Sequence, residues 1–403
     1  MLVWRKGVPL QSDDSGSRLV ALAGRVVTDY EVWAEGSLLV RDGCILDISP
    51  DYSLLHGADE VHDYGDSLLA PGFVDLQVNG AFGVDVASEP DRLRELSESL
   101  PSTGITAYLP TVISSPESLY EDALPDLAEA TRNRSVGAEV LGVHLEGPFV
   151  SLEKRGAHAA AHVIPPDPGL LAHLLEIGPV RMLTVAPELE GADDLMSLAA
   201  TRGVVVSAGH SGASFEIAYE TFDRRAAGVT HLFNAMSGLH HREPGIPGAA
   251  FAHPRVVCGL ICDGLHVHPE MVSLAFRMLG PDRIYLATDA TAATGMGPGE
   301  YPLATRRIYL DANMARLGSG ALAGSLLTMN EAFQNVLAFT GCTIPEAIRM
   351  ASTAPARLIG EGRRKGRLTP GYDADVTVLG PDLSVETVWR SGAQAYPREE
   401  LAR

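Results

Sequence analysis

The sequence predicts an α/β protein: a closed (β/α)8, or TIM, barrel carrying a small β-sandwich built from both chain ends. Three observations point there. Eight apolar, β-prone runs follow one another through the middle of the chain: GFVDLQV, ITAYLPTVI, EVLGVHLEG, RMLTVAP, GVVVSAGH, GVTHLFN, VVCGLICDG and RIYLATDA. Most are separated by stretches of helical length and composition, such as PDRLRELSESLPSTG, PESLYEDALPDLAEATR and ASFEIAYETFDRRAAG. Both ends, by contrast, read as short strands broken by turns.

Taken in order, residues 1–17 end in a polar, glycine-containing stretch and read as a loose tail. Residues 18–70 carry short strands; in SLLVRDGCILDI an Asp-Gly pair separates two apolar runs, a strong hairpin signal. Residues 71–365 hold the alternating part. Near-continuous apolar strands alternating with helices indicate a parallel sheet covered on its outer side. Eight such units over about 220 residues suit a closed barrel, with a doubly wound open sheet as the alternative. Helices around MNEAFQNVLAF and PEAIRMASTAPARLIG follow the eighth strand and cap the barrel. Residues 366–403 return to strands with Pro-Gly and Gly-Pro punctuation, and pair with the first set.

The bulk properties exclude several function classes. A chain of 403 residues favours one large domain plus a smaller one. A formal charge of −20 argues against a nucleic-acid partner, which requires clustered Lys and Arg. It also repels anionic substrates at long range, so a phosphorylated ligand needs local cations. Cys44, Cys258, Cys262 and Cys342 form no CxxC pair and read as free thiols of a reducing compartment. The N-terminus lacks the apolar run of a signal peptide, and no segment approaches the ~20 apolar residues that span a bilayer. The expectation is a soluble cytoplasmic protein without a membrane partner.

In a barrel of this kind chemistry sits where the strands end. Strand one ends Gln77-Val78-Asn79, strand three His144-Leu145-Glu146, and strand five Gly209-His210-Ser211. Strand six gives His231 and then Asn234, strand seven Asp263 and His266, strand eight Asp289. A single His or Asp in such a place is more often a hydrogen-bonded or capping residue. Here one carboxylate and two imidazoles emerge at the same face, and a His2Glu set leaves an open coordination position, as catalytic zinc requires.

These motifs resemble the amidohydrolase superfamily and, within it, the N-acetylglucosamine-6-phosphate deacetylases. The resemblance is carried by PGFVDLQVNG (71–80), HLEGPF (144–149), KRGAH (154–158), AGHS (208–211), THLFNAM (230–236), REPG (242–245), DGLHV (263–267), TDA (288–290), LAGS (322–325) and GYDADVTVL (371–379). It implies one divalent metal, zinc foremost with iron, cobalt or manganese as alternatives, held by Glu146, His210 and His231. It implies Asp289 as general acid/base and His158 as a group touching the acetyl carbonyl. It further implies Gln77, Asn79, Asn234, Ala235, Arg242 and His266 as binders of a sugar phosphate. Arg242 reaches the neighbouring subunit in this family, so a homodimer or higher homo-oligomer is implied.

One departure is informative. Many amidohydrolases carry His-x-His at the end of strand one, where this chain has Gln77 and Asn79. Neutral amides are weak ligands for a borderline-soft cation, and strand four offers no Lys for a carbamate bridge, so one metal is expected rather than two. His144 shares a strand face with Glu146 and reads as a supporting group inside the barrel. Asp263 reads as loop-fixing, Asp75 as lying deeper than Gln77, and His268 as a helix-start residue. Two readings compete with deacetylation of N-acetylglucosamine 6-phosphate: another amidohydrolase activity on a related amino sugar or cyclic amide, and a non-catalytic sugar-phosphate-binding protein.

Overall fold

The computed structural model describes residues 18–132, 137–311 and 314–397; the tail expected over 1–17 lies outside the described residues. The eight apolar runs become eight parallel strands paired in chain order. They are Phe73–Val78, Ile105–Ile113, Val143–Glu146, Val180–Val185, Val205–Ala208, Gly228–Val229, Val257–Leu260 and Ile284–Leu286. Every residue of Ile105–Ile113 is buried, which is why the strand reads as an unbroken apolar run. Helices Glu117–Arg132, Pro168–Ile177, Ala192–Thr201, Phe215–Arg224 and Pro269–Leu279 lie between successive strands. His268 caps the last of these, its Nδ1 accepting from the Glu270 N–H.

Strands one and eight meet without a full ladder. The Asp289 N–H donates to the Gln77 carbonyl at 3.0 Å and the Asn79 N–H to the Ala290 carbonyl at 2.9 Å. Below them the buried Asp75 carboxylate accepts from the Thr288 hydroxyl at 2.6 Å and from the Gln77 N–H at 3.1 Å. Burial pushes the Asp75 carboxyl up to about 7. The barrel is thus closed by the residues that flank Gln77, Asn79 and Asp289.

The β-rich chain ends form a separate seven-stranded sheet. Its order is Ala393–Tyr396, Val385–Arg390, Val376–Leu379, Glu60–Pro71, Val20–Val27, Val32–Arg41, Cys44–Ser49. The Asp-Gly hairpin is present, with Asp42 and Gly43 both at positive φ (52° and 80°). Its small core includes Leu22, Val26, Leu38, Val40, Ile45 and Trp389. Buried Lys365 lies at the junction with the barrel, 2.7 Å from Glu139, 3.0 Å from Asp373 and 2.6 Å from Asp375. None of the four cysteines is in a disulfide. Among the described residues no helix is long and apolar enough to cross a membrane.

A three-stranded antiparallel sheet of Gly299–Leu303, Arg306–Leu310 and Ala315–Leu317 follows strand eight and is absent from the sequence reading. Its first turn passes through Ala304 at φ 50°, a conformation the Gly and Asn turn signals do not flag at an alanine.

Candidate metal centre and active site

Glu146, His210 and His231 converge at the C-terminal end of the barrel strands. Glu146 Oε1 stands 3.2 Å from His210 Nε2 and 2.9 Å from His231 Nε2, and the two nitrogens are 3.0 Å apart. All three side chains are buried. His210, His231 and Asp289 each sit at positive φ (48°, 31° and 50°), a conformation costly for non-glycine residues and concentrated at functional sites.

The hydrogen bonds behind each ring fix what it presents. His210 Nδ1 lies 2.8 Å from the Lys154 carbonyl and must carry the proton there, so Nε2 keeps its lone pair. His158 is the reverse case. Its Nδ1 accepts from the Ser114 N–H at 3.2 Å and lies 2.7 Å from the Ser114 hydroxyl, so the proton sits on Nε2. That Nε2 is 3.8 Å from Glu146 Oε2. Burial, and then the neighbouring His210, push the His158 imidazolium down to about 4, leaving it neutral and a donor. Glu146, His158 and His210 also lie close enough together to suggest a ligand set, but a ring whose inward nitrogen bears hydrogen does not ligate. His231 is the better third member. Burial alone would raise the Glu146 carboxyl, yet its interactions with His158, His210 and His231 outweigh it and hold it well below the usual range.

The residues fit a cation. Tetrahedral Zn–N and Zn–O bonds of ~2.0–2.1 Å place ligand atoms about 3.3 Å apart, close to the spacing seen here. Two imidazole nitrogens 3.0 Å apart beside a carboxylate oxygen supply the donor set that such a cation takes.

Asp289 faces this cluster from strand eight. Its Oδ1 accepts from Asn79 Nδ2 at 2.7 Å and Gln77 Nε2 at 3.2 Å, and the same Gln77 nitrogen donates to Glu146 Oε1 at 2.9 Å. Burial first, then the Glu146 charge, raise the Asp289 carboxyl. The two strand-one amides therefore turn N–H groups toward both carboxylates and orient the acids. Gly147, at φ 88°, follows Glu146 where a Cβ would come 2.3 Å from Ser114 Oγ. Gly324 and Ser325 brace the other side, the Ser325 N–H donating to the Asp289 carbonyl at 2.8 Å.

A cavity of about 190 Å³ opens over the cluster. Its lining includes Asn79, Glu146, His158, His210, His231, Asn234, Ala235, His266 and Asp289, which the sequence reading singles out together. Two expected substrate binders are not among its lining residues: Gln77 is fully buried beside the carboxylates, and Arg242 is exposed on the loop after strand six. Asp263 fixes the His266 loop as expected, accepting from the Leu265 and His266 N–H groups at 2.8 Å each and pairing with His266 Nδ1 at 2.6 Å. His144 lies deeper and does not touch the cluster. It bonds the Leu76 carbonyl at 3.0 Å and Thr184 Oγ1 at 2.8 Å, in a hydroxyl layer completed by Thr230 and Ser207. The sequence reading misses Ser114, that hydroxyl layer and Arg306, whose Nη1 donates to the Ala157 carbonyl at 2.9 Å. The conspicuous signal was KRGAH itself, whose carbonyls serve His210 and Arg306.

Residues 68–395 match the model of the amidohydrolase family. The chain is 37% identical to N-acetylglucosamine-6-phosphate deacetylase of Bos taurus, covering 93% of this chain and 96% of the relative. It is 36% identical to N-acetylgalactosamine-6-phosphate deacetylase of Escherichia coli O157:H7, covering 93% and 99%. Among solved structures, a mutant N-acetyl-D-glucosamine-6-phosphate deacetylase from Mycobacterium smegmatis, in complex with N-acetyl-D-glucosamine 6-phosphate, superposes with a TM-score of 0.88 at 31% identity, covering 94% of this chain and 99% of that one.

Proposed function

The chain belongs to the amidohydrolase family, and we infer that it hydrolyses the acetamide of N-acetylglucosamine 6-phosphate, giving glucosamine 6-phosphate and acetate. The observation that carries this reading is the convergence of Glu146 Oε1 with His210 and His231 Nε2 within 3.2 Å, facing a half-buried aspartate.

We assign the cation as one zinc per chain, held by Glu146, His210 and His231; iron(II), cobalt and manganese suit the same donors. When bound, it makes water more acidic and polarises the acyl carbonyl. The chain's own residues do the rest. Asp289 takes a proton from the attacking water and passes it to the departing nitrogen, which leaves poorly unless protonated. The His158 Nε2–H donates to the acetyl oxygen as negative charge builds there. Gln77 and Asn79 hold Asp289 in place. Asn234, Ala235 and His266, which line the cavity, receive the sugar phosphate.

Among the described residues the cavity lining contains no Lys or Arg. A dianionic phosphate beside Glu146 and Asp289 needs a cation, and exposed Arg242 is the family's candidate for reaching a second subunit's cavity, which makes the working enzyme a homodimer or larger. Free thiols throughout suit a cytoplasmic setting.

A substrate panel with acetate detection tests this reading. Acetate is expected from N-acetylglucosamine 6-phosphate, lost on chelation and restored by a divalent metal, with one equivalent of metal per chain by elemental analysis. The galactosamine epimer belongs in the panel, because one relative acts on it. Acetate release from neither phosphorylated sugar would defeat the assignment. Equal turnover of the unphosphorylated sugar would remove the role given to Arg242, and two tightly held metals would overturn the single-cation centre.

A further inference from the structure

Part of the cavity lining is apolar: Ile113, Ala157 and Leu303 lie together in one cluster, while Asn234 and His266 are among its polar lining residues. Ile113 ends strand two directly beside Glu146 in the ladder register. Ser114, the next residue, fixes the tautomer of His158. Leu303 comes from the three-stranded sheet after strand eight and is 2% exposed. That sheet is held down from two sides: the Ala304 N–H donates to buried Asp85 at 3.0 Å, and Arg306, the register partner of Leu303, bonds the Ala157 carbonyl. The apolar wall is therefore rigid and adjoins the hydrogen-bond donor of His158.

We propose that Ile113 and Leu303 form the pocket for the methyl of the acyl group and so set the length of acyl chain the enzyme removes. This rests on the deacetylase reading and names what selects the acyl part of that substrate. In any acetamide the methyl carbon lies about 2.4 Å from the carbonyl oxygen, by ordinary bond lengths and angles. With that oxygen at the His158 Nε2–H, the methyl has to fall near the residues flanking His158. The sugar, bound through its phosphate, extends toward Asn234 and His266. A longer acyl chain then meets Leu303 and Ile113, which the anchored sheet does not allow to withdraw. A hydrophobic pocket discriminates a single methylene by roughly 10–200-fold, so acetyl is preferred over propionyl by a factor of that order.

The test compares kcat/KM for N-acetyl-, N-propionyl- and N-butyrylglucosamine 6-phosphate in the metal-loaded enzyme and in Leu303→Ala and Ile113→Val. Each variant is expected to raise the propionyl-to-acetyl ratio, by about tenfold for Leu303→Ala. Leu303→Ala should also gain propionyl turnover in absolute terms, which a merely structural defect does not produce. Ile113→Val removes one methyl from a barrel strand and keeps the test decisive if Leu303→Ala disturbs its sheet. Acetate release with wild-type acyl preference in both folded variants would overturn the pocket while leaving the deacetylase reading intact. A wild-type enzyme that cleaves none of the three overturns both.

Discussion

Asp289→Asn is expected to lower kcat by about 10²–10⁴-fold, the range general acid–base groups supply, while leaving the fold, the metal and ligand binding in place. The substitution is nearly isosteric. An asparagine oxygen can still accept from Asn79 Nδ2, so the arrangement at the end of strand eight survives and only the proton acceptor is lost. Binding of glucosamine 6-phosphate by calorimetry, and metal content by elemental analysis, separate this from collapse of the centre. A variant that lost its metal together with turnover would make Asp289 a ligand and not a proton carrier. The pH profile adds a second readout. Burial, then the charge of Glu146, raise the Asp289 carboxyl in the metal-free chain. Loss of its basic form on acidification gives kcat/KM an acid limb in the wild type, falling with decreasing pH, and this limb should be missing from the residual activity of the variant.

Most of what positions this site was legible because it obeys strong, regular constraints. Parallel barrel strands are buried on both faces, so Ile105–Ile113 and its neighbours announce themselves as unbroken apolar runs. A carboxylate and imidazoles placed where such runs end are unusual enough to be noticed, and Glu146, His210, His231, His158, Asn234, His266 and Asp289 do line one cavity. What stayed hidden was whatever carries no distinctive residue. Ser114 decides which nitrogen of His158 bears the proton, yet a serine after a strand signals nothing by itself. Leu303 and Arg306 belong to a sheet whose turn lacks the glycine or asparagine that would mark it. Gln77 could be read as a poor ligand, but not as an amide wedged between two carboxylates, because that depends on strand register at the closure of the barrel. Arg242 was read as reaching a neighbouring subunit, and within one chain it is exposed and not among the residues lining the cavity.

Lys365→Met is expected to cost about 3–5 kcal/mol of stability, because it leaves buried carboxylates short of a cation. The Lys365 side chain is 1% exposed, and its ammonium group touches Glu139 at the foot of the barrel as well as Asp373 and Asp375 at the start of the returning strands. Arg364 remains, 2.9 Å from Glu139 and 2.7 Å from Asp373; among the described residues the Asp375 carboxylate then keeps the Ser391 N–H at 2.8 Å. Replacing Asp375 by Asn in the same chain removes the stranded charge, so the double variant should be more stable than the sum of the two single losses predicts. The pH dependence has a definite sign. Burial alone would raise the Glu139 carboxyl, but Arg364 and Lys365 hold it down to about 2, below its ordinary value of 4.5. A depressed carboxyl contributes stability that is complete above the ordinary value and lost as pH falls toward the folded one. The gap between wild type and Lys365→Met should therefore be widest near neutrality and narrow progressively below pH 4.5, where protonation relieves the variant's unpaired acids. Urea midpoints across that range measure it. A variant within about 1 kcal/mol of wild type at pH 7 would mean that this cluster behaves like a solvated surface pair and does not join the two sheets.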